Sequence, residues 1–301
     1  MRDDDGEYHI PLTDEVDHEI LMHRDAHFSG NFQEMLDYYE NEGKGMGREI
    51  LYDRILDLFE MEKELGRDLS AVSLSEEDKR QVHEARAAYL GLRDIYGKAT
   101  EIEKKLADLI LSEEEDPEDE VAAVTAFGDE AVPILINLVD SEKFYSELFP
   151  GYGYAPALAA RCLGILGNSV AILPLFNALK ARHFDVEEEL LLALSRIGEP
   201  AKKFLLKVMH QLPISRENER AVMALVSAFN TEGEIAKGCL EMLQNEDVAR
   251  DEGLVTYLIL GCSSLTSESD RKTFSGLCDK YPQLAHLKGE TEAISSMWNR
   301  L

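Results

Sequence analysis

The sequence predicts an all-α protein, an acidic N-terminal helical domain followed by an array of paired helices. Three observations carry that prediction. Apolar residues recur at i, i+3, i+4 and i+7 in segment after segment, the spacing of one helix face. Strand-like alternation of Val, Ile and Thr is almost missing. From about residue 117 onward an Ala/Leu-rich helix, a Gly, a short turn and a second apolar helix recur at a near-constant interval, as in chains built from modules that shield one another's apolar sides. The layout read from these signals is a helical domain over 1–112, an acidic linker at 113–120, the array over 117–281 and a C-terminal capping helix over 282–301.

In the first domain, Thr13 is the expected N-cap of a helix that carries Val16, Ile20, His23 and His27 on one face. Phe32, Met35, Leu36 and Tyr39 give the stripe of a second helix, stopped by Gly43. A third runs from about Arg48 to Leu65 with Leu51, Ile55, Leu58 and Phe59 inward, closed by Gly66. The fourth opens at Ser75-Glu76-Glu77-Asp78, where a hydroxyl caps free amides and the acids suit the positive helix end. Its stripe is Val82, Ala85, Tyr89, Leu92 and Tyr96, ending at Gly97. Ile102, Leu106, Leu109 and Ile110 mark a fifth helix, which leads into Glu113 to Glu120. Seven acids in those eight residues repel one another, so part of the run is expected as an exposed turn, with Pro117 in the first turn of the next helix.

The array is read by alignment. Ala123–Leu138 (AVTAFGDEAVPILINL), Ala160–Leu179 (ARCLGILGNSVAILPLFNAL) and Ala193–Val208 (ALSRIGEPAKKFLLKV) share the helix, Gly, turn, helix order, with Gly128, Gly167 and Gly198 at the break. Ala224–Leu243 continues the series with Asn230 in the glycine's place, a residue that also tolerates the left-handed conformation. A weaker copy follows over Leu254–Cys278. The intervals are 39, 31 and 32 residues, in the range of helix-pair solenoids. This pattern of Ala and Leu, Leu-Gly, a small turn, Ala, Pro and Leu-Leu resembles the HEAT repeats, in particular the short HEAT-like repeats named after phycobilisome lyases, over about 117–280. The resemblance implies an α-solenoid of stacked antiparallel pairs whose second helices line a concave surface used to hold other proteins. Asn177, Lys180, Lys203, Lys207 and His210 are the polar positions expected on that surface.

The net charge of −28 is uneven. Residues 1–150 hold 40 acidic and 15 basic side chains, against 19 and 16 in residues 151–301. Phosphate binding needs clustered Lys and Arg, so nucleic acid is excluded as a partner of the first half and a basic protein segment fits it better. Cys162, Cys239, Cys262 and Cys278 have no CxxC spacing and fit buried thiols in a reducing compartment, which makes the chain cytoplasmic by expectation. The start MRDDDGEYH is acidic where a signal peptide would be basic and then apolar. The 18 uncharged residues from Cys162 to Leu179 are interrupted by Gly167, Asn168, Ser169 and Pro174, and read as a helix pair instead of a membrane span.

Four features bear on function. The 39-residue interval contains an insertion with Phe144, Tyr145, Phe149, Tyr152 and Tyr154, five of the 22 Phe and Tyr residues. Rings on a projecting loop are partner anchors, and rings folded back are a seal. Glu19, His23 and His27 stand at i, i+4 and i+8, one helix side with metal-ligand chemistry, though without an HExxH motif or a further ligand in view. His18-Glu19 and His83-Glu84 are His-Glu pairs similar to those of the HEAT-repeat deoxyhypusine hydroxylases, but residues 117–280 contain none, which argues against that activity. Gly43-Lys44-Gly45-Met46-Gly47 follows a helix and lacks the GK[ST] ending, so it reads as a hinge and not a phosphate cradle. The expectation is a non-enzymatic protein-interaction adaptor with no cofactor, the alternative being a metal-binding protein or metalloenzyme that uses the N-terminal His and Glu residues.

Overall fold

The computed structural model describes residues 15–41, 52–112, 114, 116–180, 184–229, 233–245, 247–248 and 251–298. Among these, every regular element is helical and no β-strand occurs. The expected cap Thr13, the Gly43–Gly47 segment, Arg48, Leu51 and Asn230 lie outside them.

The chain divides into two compact units, one of Met1–Phe127 with Ser141–Leu158, the other of Gly128–Asp140 with Ala159–Leu301. In the first, the helices are α1 (Glu15–His27), α2 (Phe32–Glu40), α3 (Tyr52–Leu65), α4 (Leu69–Ser73), α5 (Glu76–Lys98), α6 (Glu101–Leu111) and α7 (Glu118–Thr125). Of the acidic run, Glu114 and Asp116 fall between α6 and α7, and Glu118, Asp119 and Glu120 form the first turn of α7; α6 and α7 pack on each other within this unit. The short α4 had no sequence signal of its own. Its start is set by Asp68, whose carboxylate accepts from the Ser70 amide at 3.0 Å. Ser75 opens α5 with the expected reciprocal cap, its hydroxyl accepting from the Asp78 amide while Asp78 accepts from the Ser75 amide.

α1 packs on α3, α4 and α5. Ile20, Leu21, Phe32, Met35, Leu36, Ile55, Leu58, Leu69 and Leu74 form the shared core. Val16, expected inward, is 47% exposed, because the buried side of α1 is instead the one carrying Asp17, Ile20, Leu21, His23 and Arg24. Arg24 sits inside this core, 1% exposed. Its guanidinium donates to Glu62 at 2.7 Å, and to Asp25, Asp68 and Ser70 at 2.8 Å each, with the Phe32 ring beneath it at 4.4 Å. A buried charge is tolerated when it is paired and its hydrogens are taken up in this way.

In the second unit, α8 (Val132–Val139), α10 (Ile172–Ala178), α12 (Glu199–Met209) and α14 (Gly233–Leu243) follow the breaks seen in the sequence. α9 (Ala155–Leu166), α11 (Phe184–Ile197), α13 (Arg216–Ala228) and α15 (Glu252–Gly261) alternate with them, α9 starting in the first unit. Gly128, Gly167 and Gly198 have φ of 59°, 66° and 79°, the left-handed conformation for which the pattern reserves a glycine. The buried register repeats from one second helix to the next: Ala131, Leu135 and Val139, then Ala171, Leu175 and Leu179, then Ala201, Leu205 and Met209, then Ile235, Cys239 and Leu243. α11 packs on α12 and α13, and α13 on α15, while α8 packs on α10.

Two contacts set the closeness of this packing. A Cβ on Gly164 would lie 2.7 Å from the Cα of Ala193, and one on Gly261 would lie 2.5 Å from the Cys239 sulfur. The 1%-exposed Asn218 closes the turn after α12, its amide nitrogen donating to the carbonyls of Val208, Met209 and Gln211 and its oxygen accepting from the Ser215 amide. After α16 (Glu268–Ser275) and α17 (Leu277–Lys280), the described part of 282–301 is a 3-10 turn at Pro282–Leu287 followed by α18 (Lys288–Trp298). Burial pushes the Cys162 and Cys239 thiols up to about 12, and that of Cys262 in the same direction, so all three stay protonated. Among the described residues no single helix is long and apolar enough to cross a membrane.

Candidate functional site

The end of α1 carries a close group of chemically able side chains. His23 and His27 are one turn apart, and their rings lie 4.3 Å centroid to centroid. Tyr89 of α5 meets the His27 ring edge-on at 4.4 Å, and Tyr152 of the insertion stacks on it at 5.4 Å and 22°. Phe28 and Tyr39 complete the group around His23.

The insertion reaches this place because of its own local chemistry. Gly151 takes φ 87° at a point where a Cβ would lie 3.1 Å from the Ile110 carbonyl and 3.3 Å from the Ala155 Cβ, so only a glycine passes. Leu148 and Phe149 bury with Ala26 and Ala85, and Lys143 pairs with Glu84 on α5 at 2.7 Å. The Leu148 carbonyl then accepts a hydrogen bond from Nε2 of His27 at 3.1 Å. A carbonyl cannot donate, so Nε2 holds the ring's proton and Nδ1 keeps a lone pair.

Both imidazoles are neutral at pH 7. Burial lowers His27 to about 4, only partly opposed by the Leu148 hydrogen bond. Burial, with His27 as a neighbouring charge, holds His23 well below its ordinary value. His23 pairs through Nε2 with the Tyr39 hydroxyl at 2.8 Å, and its buried Nδ1 has no hydrogen-bond partner. The expected Glu19, His23 and His27 ligand set is therefore not assembled around a common point. Each histidine uses its Nε2 on the protein, and among the described residues no three His, Cys, Asp or Glu side chains are grouped to hold a metal ion.

Beside the histidines opens a cleft of about 320 Å³. Its walls are His27, Phe28, Tyr38, Tyr89 and Tyr152, and α5 contributes Arg86, Leu90 and Arg93. Ala26 and Ser29 complete the lining, the Ser29 hydroxyl accepting from Arg86 at 3.1 Å. Ser29 and Tyr152, at φ 55° and 47°, are the non-glycine residues with left-handed backbone among those described, and both line this cleft.

The sequence pointed at His27 and Tyr152 but not at Arg86 or Arg93. The available signal was Arg86, Tyr89, Leu90 and Arg93 at i, i+3, i+4 and i+7, which places two cations on the same face as an aromatic stripe. Of the expected partner anchors, Phe149 and Tyr152 are buried at 6% and 4% exposure, so they act as a seal within the first unit and do not project. Phe144, Tyr145 and Tyr154 are half-buried. In the second unit Asn177, Lys180, Lys203, Lys207 and His210 are all exposed, and Lys203 lies 3.6 Å from Glu199. No family model matches the chain, and no curated protein matches it either.

Proposed function

We propose that the chain is a non-catalytic protein-interaction scaffold whose second unit is an α-solenoid of HEAT-like helix pairs, with the outward face of the second helices as its binding surface. The observation that carries this reading is the repeated register of α8, α10, α12 and α14. The residues at the repeating buried places are apolar, and exposed positions recur between them. At matching places the exposed residues are Asn137, Asn177, Lys207 and Glu241, then Asp140, Lys180, His210 and Gln244, and then Pro133, Leu173, Lys203 and Lys237. In the middle of this row the exposed Asn177, Lys180, Lys203 and Lys207, on a rigid packed backing, suit a carboxylate-bearing segment of a protein partner, while the acid excess of residues 1–150 suits a basic one.

The test is affinity capture at low salt with quantitative mass spectrometry. The full chain is compared with a variant carrying Lys180→Glu, Lys203→Glu and Lys207→Glu, and with a control reversal at Lys288, exposed on α18. The scaffold reading expects partners that are lost from the triple variant and kept by the control. Equal recovery from all three chains would remove it.

A further inference from the structure

We propose that the cleft at the end of α1 binds a small aromatic anion, a flat ring carrying a phosphate, of about mononucleotide size. This site lies wholly within the first unit and does not depend on the scaffold reading.

Charge is the first ground. Arg24, Arg54, Arg80, Lys79, Lys104, Lys105 and Lys143 of this unit are each paired with a carboxylate. Lys63 lies over the Phe59 ring, and Arg67, Arg86 and Arg93 are in no ion pair with a described carboxylate; of these, Arg86 and Arg93 line one cleft, on a half of the chain that carries 40 acids to 15 bases. Two guanidiniums left without carboxylates on so acidic a body, and placed at one opening, have the positive potential that draws an anion.

Donor geometry is the second. Ser29 accepts from Arg86 through its oxygen, which leaves its own O–H to donate. Ser29, Arg86 and Arg93 thus offer three separate donors, which matches the three terminal oxygens of a phosphate better than the two of a carboxylate. Arg86 and Arg93 are seven residues apart, about 10 Å along the axis at about 1.5 Å per residue, within the convergent reach of two arginine side chains.

The walls and the backbone are the third. Phe28, Tyr38, Tyr89 and Tyr152 present ring faces and edges, and Leu90 stands 55% exposed among them, so a flat apolar body is covered where a bare ion would leave that surface wet. Left-handed backbone is disfavoured for any residue with a side chain, and the fold retains it at Ser29 and Tyr152, two cleft positions. The cleft volume of about 320 Å³ stands at the low end of ligand sites, which run from about 300 to 1,000 Å³, and so admits one ring and one phosphate but not a dinucleotide.

The experiment is isothermal titration calorimetry of the full chain with four probes: adenosine monophosphate, O-phosphotyrosine, inorganic phosphate and adenosine. The expected result is saturable binding of at least one phosphorylated ring, with phosphate alone and adenosine alone each at least about tenfold weaker. Arg86→Gln with Arg93→Gln weakens that binding at least about tenfold while leaving the melting temperature unchanged, since both side chains are exposed. Binding of adenosine monophosphate only assigns a free nucleotide, and binding of O-phosphotyrosine only assigns a modified protein side chain. The proposal is overturned if neither ring compound saturates, if inorganic phosphate binds as tightly as either, or if the double variant binds them undiminished.

Discussion

Acidification is expected to destabilise the first unit through His27 in particular. In the fold its pKa is lowered from an ordinary 6.5 to about 4, chiefly by burial. The unfolded chain therefore takes up a proton that the folded one refuses as pH falls below about 6.5, and stability is lost until pH reaches the folded value, below which the loss is complete. For that shift the loss between pH 7 and pH 5 is about 2 kcal/mol from His27 alone, at about 1.4 kcal/mol per pKa unit and with titration nearly complete in the unfolded state. His23, shifted in the same direction, adds to it. Relief of repulsion in a chain of net charge −28 acts the opposite way but equally in any variant, so the informative quantity is a difference. Urea unfolding followed by far-UV circular dichroism at pH 7 and pH 5 gives it, for the wild type and for His27→Gln, whose amide can still donate to the Leu148 carbonyl. The wild type should lose about 2 kcal/mol more than the variant across that interval. Parallel losses would show that His27 is not held neutral by burial, and the account of its packing under Tyr89 and Tyr152 would fall with it.

Gly261→Ala should lower the melting temperature, because about 1–3 kcal/mol of overlap with the Cys239 sulfur exceeds the gain of about 1 kcal/mol in helix propensity. Adding Cys239→Ala to the same chain should recover most of the loss, and no recovery would refute the contact. Asn218→Asp should destabilise more than Asn218→Ala, whose cost is about 1–3 kcal/mol, since the carboxylate turns acceptors toward three carbonyls that now lack a donor. Denaturant midpoints of the two variants in the reverse order would refute this. Arg24→Met should cost about 3 kcal/mol or more in urea unfolding, by leaving Glu62 and Asp68 facing each other without their cation. A loss under about 1 kcal/mol would mean that the cluster is solvated well enough to need no arginine.

Local features of the fold were open to reading in the sequence. Periodicity placed α2, α3, α5 and α6 within a few residues, the Ser75 cap lies where a hydroxyl precedes three acids, and the glycines at 128, 167 and 198 carry the left-handed backbone that the alignment implied. Such signals act over a turn or two of chain. The candidate site was mostly closed to that kind of reading, because its members meet across long separations: Ser29 with Arg86 across 57 residues and His27 with Leu148 across 121. Periodicity marks a residue as facing inward but says nothing of what it faces. Tyr89 therefore looked like one more core position, and the insertion's rings were equally good as anchors or as packing. Val16 shows the same limit, since a stripe drawn through Val16, Ile20, His23 and His27 fits the spacing as well as the observed one.

The chain leaves the first unit after Phe127, returns at Ser141 and leaves again after Leu158. No single scission of the backbone can therefore deliver either unit whole. A fragment that stops anywhere before residue 141 lacks the carbonyl that orients His27 and the ring that covers it, so an apparently generous N-terminal fragment loses the cleft while keeping most of its walls. Genetic dissection by terminal deletion would assign the site's properties to the wrong end of the protein. Internal substitutions at Arg86 and Arg93 avoid that error.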